Sequence, residues 1–198
     1  MKGDEESMLN RIRAKLQVYL RYIAAPLVYL RIDPNLITLT GLLFGFLSVL
    51  AYAHYPLMIL FFILMILSDA IDGQVARAIG KVTKFGAFLD STIDRVEDAL
   101  SYYLLYLLRI VGVEELLIAM IGAFLVSYTR SRAESLGVEM MGIGVAERAE
   151  RLILTFLALI TAPLSLTVAR IIFAGLLVLT YLTVLQRVLH VYKMLGDA

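Results

Sequence analysis

The chain of 198 residues contains no cysteine, which excludes disulfides, thiolate catalysis and zinc–thiolate centres. It has two histidines, His54 and His190, and so little capacity for imidazole chemistry. Charge is also scarce: 18% of the residues are Asp, Glu, Lys or Arg, against about a quarter in soluble domains. Catalysis is therefore left to carboxylates, arginines, lysines, hydroxyls or a bound metal. The opening "MKGDEESMLNRIRAKLQVYLRYIAAPLVYL" lacks the basic, then apolar, then small-residue order of a cleaved signal peptide, and is expected to stay on the mature protein. There is no internal repeat and no low-complexity tract. The net charge of +1 names no partner by itself, and no nucleic-acid partner is expected.

What is abundant is apolar sequence, at 61%. A membrane-spanning helix needs about 20 mostly apolar residues. Suitable runs are Leu36 to Ala53, Pro56 to about Gly73, Phe85 to Leu108, Leu116 to about Leu136, Ala146 to Ala162 and Leu164 to about Leu185. The expectation is an all-α integral membrane protein forming a single domain over residues 1–198. Residues 34–198 would be a bundle of six transmembrane helices, and residues 1–33 a juxtamembrane segment with an N-terminal interfacial amphipathic helix. In that segment Arg11, Arg13, Lys15 and Arg21 alternate with Leu, Ile, Val and Tyr, a composition suited to anionic headgroups. Pro26 and then "DPN" at 33 to 35 are expected to break the helix, with Asn35 as the N-cap of the first span.

Sixteen of the eighteen Lys and Arg residues fall in the N-terminal segment, at two charged connections or near the C-terminal end; Arg109 and Arg170 lie opposite. The positive-inside rule then places both termini on the cytoplasmic side of the cell membrane. The same side receives "SDAIDGQVARAIGKVTKFGAFLDSTIDRVEDA", Ser68 to Ala99, with four aspartates at helix ends. Asp69 and Asp72 are three apart and Asp90 and Asp94 four apart, so each pair shares a helix face. The short connection makes the two helices antiparallel neighbours. Converging carboxylates repel one another, and each charge costs about 2.5–3.5 kcal/mol at a helix centre, so a cation is expected among them. An all-carboxylate set suits Mg²⁺ or Mn²⁺, and two such ions would form the clamp used in phosphoryl transfer. The plainer reading is ion pairing to Arg77, Lys81, Lys84 and Arg95, nearby in sequence. Gly73 and Gly86 are either packing glycines or positions where a base or phosphate approaches the backbone. Arg77 is placed to hold a phosphate oxygen.

The pattern Asp69-x2-Asp72-Gly73-x2-Ala76-Arg77-x8-Gly86-x3-Asp90-x3-Asp94 resembles, at eight positions over 26 residues, the signature of the CDP-alcohol phosphotransferases. The resemblance implies transfer of a phosphatidyl-type group from a CDP-linked lipid, CDP-diacylglycerol or CDP-archaeol, to an alcohol, with release of CMP. It further implies two Mg²⁺ ions, with Mn²⁺ as the alternative, held by Asp69, Asp72, Asp90 and Asp94, and Asp94 as general base. Gly73, Arg77, Thr83 and Gly86 would line the CDP site. "PNLIT", from Pro34 to Thr38, resembles a second family feature and adds Asn35 and Thr38 as nucleotide candidates. A homodimer embedded among membrane lipids is also implied.

Ser127, Arg130 and Arg132 end the fourth run, Arg148 and Arg151 open the fifth, and Arg187 closes the sixth. Helix-end arginines often only anchor headgroups, and Arg130 and Arg132, two apart, do not share a face. So many guanidinium forks nevertheless suit a phosphorylated acceptor better than serine or a bare polyol. "SYTRSRAE" and "ERAERL" resemble the phosphatidylinositol-phosphate synthase branch, whose acceptor is inositol 1-phosphate; its archaeal product would be archaetidylinositol phosphate. Relatives of that branch often carry Lys where Arg130 stands. Ser127, Arg148 and Arg187 are the first candidates for the acceptor phosphate, with Arg130 and Arg151 behind them. The nearest competitor is a phosphatidylglycerophosphate synthase using glycerol 3-phosphate. More distant readings are an intramembrane prenyltransferase, whose bundles are longer, and a divalent-cation transporter, whose carboxylates lie nearer the midplane.

Overall fold

The structure, a computed structural model, describes residues 8–196, with side chains from Tyr19 onward. Among the described residues every regular element is a helix. These are α1 (Met8–Tyr29), α2 (Pro34–Leu50), α3 (Tyr55–Ala78), α4 (Lys84–Leu107), α5 (Val113–Ser135), α6 (Arg148–Thr161) and α7 (Leu166–Leu195). All six expected apolar runs are helical. On length and composition, α3 and α7 each suffice to cross a membrane, and α1 with α2, bent by 117°, pass only as a broken pair. Helix α6 has 14 residues, about 21 Å at 1.5 Å per residue, and starts at Arg148 rather than Ala146.

Local chemistry sets the helix ends. Pro26 lies inside α1 and does not break it. The helix runs on to Tyr29 and ends where Arg31 turns left-handed at φ 50°, with Ile32 N donating to Leu27 O at 3.0 Å. The same six-to-one closure ends α3 with Lys81 N to Ala76 O, α4 with Ile110 N to Leu105 O and α5 with Val138 N to Ala133 O. Gly80, Arg109 and Gly137 are the respective left-handed residues. At the start of α2 the cap is Asp33 rather than Asn35: its Oδ1 accepts from Asn35 N at 2.9 Å. Pro34, which has no N–H to satisfy, is the first helical residue. Asn35 is thereby moved into the first turn.

Packing divides the described residues into two compact units, those up to 44 with 63–93, and 45–62 with those from 94 onward. In the first unit, Leu20 and Ala24 of α1 are buried with Ile37 of α2 and with Ile71 and Val75 of α3. Tyr22, Ile23 and Tyr29 of α1 are exposed. Helix α1 therefore belongs to this core through one face, while the side chains of Arg11, Arg13 and Lys15 fall outside the described residues.

In the second unit α7 packs on both α5 and α6. A Cβ on Gly122 of α5 would stand 3.0 Å from Thr180 and Tyr181 of α7, so the missing side chain permits that approach. Arg170, in the second turn of α7, donates through Nε to Ile110 O at 3.0 Å. The segment before α6 is seated along one face of α7. Ala146 N donates to Thr183 Oγ1 at 2.9 Å, Val145 N to Gln186 Oε1 at 3.2 Å and Arg187 Nε to Ile143 O at 2.9 Å.

Candidate active site

In the first unit, the start of α2, the end of α3, the connection after it and the start of α4 surround a cavity of about 240 Å³. Helix α2 contributes Pro34, Asn35 and Thr38; α3 contributes Asp72, Gly73, Ala76 and Arg77. The connection contributes Lys81, Val82 and Thr83, and α4 contributes Gly86, Ala87 and Asp90. All six residues expected at a nucleotide, Asn35, Thr38, Gly73, Arg77, Thr83 and Gly86, line this one space with two of the four aspartates. Pockets that enclose a drug-sized ligand run about 300–1,000 Å³, so this one suits the head of a larger molecule.

The neighbouring groups explain the shape. Thr38 Oγ1 lies 2.6 Å from Asp72 Oδ2 and ties α2 to α3, while Gly73 N donates to Asp72 Oδ1. A Cβ on Gly73 would meet Arg77 Nη1 at 3.3 Å, so the glycine lets the guanidinium lie against the helix. Thr83 caps α4, accepting from Gly86 N at 2.9 Å. A Cβ on Gly86 would sit 3.0 Å from Thr83 Oγ1 and 3.1 Å from Asn35 Oδ1. A methyl there pushes the Thr83 and Asn35 side chains, which line the cavity, out of place by a few tenths of an ångström. Gly86→Ala is accordingly expected to raise the KM for a nucleotide-bearing substrate about tenfold, with the KM of the second substrate unchanged in steady-state assays.

Both oxygens of Asp72, a residue 6% exposed, are held by neutral donors, the Thr38 hydroxyl and the Gly73 amide. Asp69 and Asp90 are near enough for their charges to act on it. Clustered carboxylates with hydroxyl and amide support fit a hard divalent cation. Asp69 is not among the residues lining the cavity. The plainer ion-pair reading holds only in part: Arg95 Nη2 pairs with Asp94 Oδ2 at 3.0 Å, whereas Lys81 pairs with Asp33 at 3.5 Å.

Asp94 stands one turn beyond Asp90 on α4 and belongs by packing to the second unit. There Arg148 Nη1 lies 2.8 Å from Asp94 Oδ1. The same guanidinium pairs through Nη2 with Glu97, and its Nε is 3.6 Å from Asp98 Oδ1. Arg151 Nη2 takes Asp98 Oδ2 at 2.6 Å. The Arg151 side chain is 1% exposed, which makes it part of the packed interior rather than a surface offered to a ligand. Arg187 is similarly enclosed, bonded to the carbonyls of Val126 and Ile143 and, at 3.3 Å, to Glu147 Oε1. Arg130 and Arg151 are close enough for their charges to act on Arg187. Arg130 is exposed and pairs with Glu134 at 3.0 Å, and Ser127 Oγ bonds Ala123 O at 3.2 Å. Sequence reasoning passed over Glu97 and Asp98, although they follow Asp94 by three and four residues and share its helix face.

The family model described as CDP-alcohol phosphatidyltransferase matches residues 31–186. An archaetidylinositol phosphate synthase of Pyrococcus horikoshii is 38% identical over 192 residues, covering 95% of this chain and 98% of its own. The crystal structure of the Mycobacterium tuberculosis phosphatidylinositol phosphate synthase with CDP-DAG bound superposes with a TM-score of 0.76 at 25% identity, covering 87% of this chain and 93% of that one. The same enzyme in complex with manganese and citrate gives a TM-score of 0.68 at 27% identity, covering 87% and 88%.

Proposed function

Because the chain belongs to the CDP-alcohol phosphatidyltransferase family, we propose that it transfers a phosphatidyl-type group from a CDP-linked lipid to a hydroxyl of inositol 1-phosphate, releasing CMP. The observation that carries this reading is the cavity of the first unit, which joins Asn35, Thr38, Gly73, Arg77, Thr83 and Gly86 to Asp72 and Asp90. Family membership removes the prenyltransferase and transporter readings. The phosphorylated acceptor is supported by the relatives, named as synthases of inositol phosphate lipids, and by the arginines of the second unit.

The protein is an integral membrane protein and a transferase. The finer reading has six spans, α1 at the interface, and a homodimer in the cell membrane. Both termini and the aspartates face the cytoplasm. The cavity takes the CDP head, with Arg77 and Lys81 against phosphate oxygens and the glycine backbone against the base. Asp69, Asp72, Asp90 and Asp94 are the residues that would hold two Mg²⁺ ions, for which Mn²⁺ can substitute, a choice supported by the manganese in the related crystal structure. Bound there, the metal supplies positive charge for the pyrophosphate oxygens and for the departing CMP. Thr38 fixes the Asp72 carboxylate through its 2.6 Å contact.

Asp94 takes the proton of the acceptor hydroxyl, whose oxygen forms a bond to the phosphorus that carries the lipid. The bond from that phosphorus to the bridging oxygen breaks, and the oxygen leaves on CMP. Ser127, Arg130 and Arg148 are the residues assigned to the acceptor phosphate. Arg151 and Arg187 support them from the interior through the bonds described above.

Purified protein with CDP-lipid and Mg²⁺ tests the acceptor. Inositol 1-phosphate is expected to exceed glycerol 3-phosphate, inositol and serine in kcat/KM by about tenfold or more, the discrimination that one well-placed charged contact provides. Preference for glycerol 3-phosphate would replace the reading with a phosphatidylglycerophosphate synthase.

A further inference from the structure

The charged cluster on α4 and α6 contains a carboxylate to which the reaction above gives no task. The Glu97 side chain is 2% exposed, and a buried carboxylate is tolerated only when paired. Its partner is Nη2 of Arg148, the guanidinium whose Nη1 lies 2.8 Å from Asp94. Around this pair three cations, Arg95, Arg148 and Arg151, alternate with three anions, Asp94, Glu97 and Asp98. The arrangement is graded. At its inner end Glu97, Asp98 and Arg151 have side chains 2%, 5% and 1% exposed, whereas those of Arg148 and Asp94 are 14% and 15% exposed at the outer end.

We infer that Glu97 is a positioning residue. It anchors Arg148 through Nη2 so that Nη1 exchanges from Asp94 to a phosphate oxygen of the acceptor, leaving the Asp94 carboxylate to take the hydroxyl proton. The inference rests on the functional reading above. A guanidinium presents its donors in a rigid fork, so Arg148 pivots on the buried Glu97 contact without leaving the interior. Its ion pairing is conserved, one anion being exchanged for another. Asp94 keeps Arg95 at 3.0 Å. An acceptor without a phosphate leaves Arg148 on Asp94, so discrimination appears in the turnover step as well as in binding.

The test uses the full chain in lipid with Mg²⁺, each substrate being varied while the other is saturating. Wild-type turnover of inositol 1-phosphate establishes the functional reading separately; its absence would overturn that reading and this inference with it. With wild type active, Glu97→Gln is expected to lower kcat/KM for inositol 1-phosphate about 30-fold, the loss typical of one broken buried charge pair. The KM for CDP-lipid should stay within about twofold, since no donor contact is touched. Glu97→Asp, which keeps the charge one methylene further back, should recover most of the loss, and it decides the matter alone if the glutamine variant does not fold. Phosphite dianion added to unphosphorylated inositol should activate the wild type and fail to activate Glu97→Gln. Equal losses for donor and acceptor, unchanged acceptor kinetics in the variants, or no phosphite activation of the wild type would each overturn the proposal.

Discussion

Asp94→Asn is expected to lower turnover by about 10³-fold or more, the upper part of the range for removing a general base, with CDP-lipid affinity nearly unchanged. Asparagine has almost the same shape as aspartate, and although its NH₂ replaces one of the two oxygens that accept from Arg148 and Arg95, Arg148 stays paired with Glu97, so α4 and α6 remain joined. What is lost is the site for the acceptor's proton and one carboxylate oxygen of the proposed metal set, of which Asp69, Asp72 and Asp90 remain. The cavity proposed for the CDP head is lined by residues of α2, α3, the connection after α3 and the start of α4, and Asp94 is not among them. Binding of a non-reactive CDP-lipid, followed calorimetrically beside single-turnover kinetics, separates the two effects. A variant retaining a tenth of wild-type turnover would assign the proton to another group.

Removal of divalent metal is the second large effect. With EDTA, transfer should fall by at least about 10²-fold, since metal charge stabilisation is worth several kcal/mol in such reactions, and Mg²⁺ or Mn²⁺ should restore it. The expectation follows from Asp72, buried with neutral donors on both oxygens and with the charges of Asp69 and Asp90 acting on it. A ligand at about a hundred times its Kd adds about 2.7 kcal/mol to folding stability. The detergent-solubilised protein should therefore also melt lower without metal, and Asp72→Ala should remove that difference. Full activity in metal-free buffer would contradict the assignment.

The helices, and much of the lining of the cavity in the first unit, were legible in the sequence because they depend on spacing along one stretch of chain. Apolar runs marked α2 to α7, and the aspartate, glycine and arginine intervals brought Asp72, Gly73, Arg77, Gly86 and Asp90 to one cavity. Caps were less legible. Asp33 and Asn35 are both good cap residues, and Pro34 decides between them by taking the first helical position. Pro26 looked like a breaker but is accommodated inside α1.

The arginines were legible as charges and not as contacts. Arg187 is bonded to the carbonyls of Val126 and Ile143, acceptors that every residue possesses and no side-chain pattern announces. Arg151 is matched to Asp98, 53 residues earlier in the chain, and the spacing of either residue says nothing of the other. Glu97 was hidden for a related reason. It trails the aspartate pattern at a position beyond the family signature, and only the placement of Arg148 at the start of α6 shows what it is paired with.

The most direct measurement follows the phosphorus. CDP-lipid labelled with radioactive phosphorus at the lipid-bearing phosphate is incubated with protein, Mg²⁺ and inositol 1-phosphate, and the label is partitioned between lipid and water. All converted label is expected to stay in the lipid product while unlabelled CMP appears in equal amount. Label released into water, or lipid product formed without CMP, would contradict the proposed transfer.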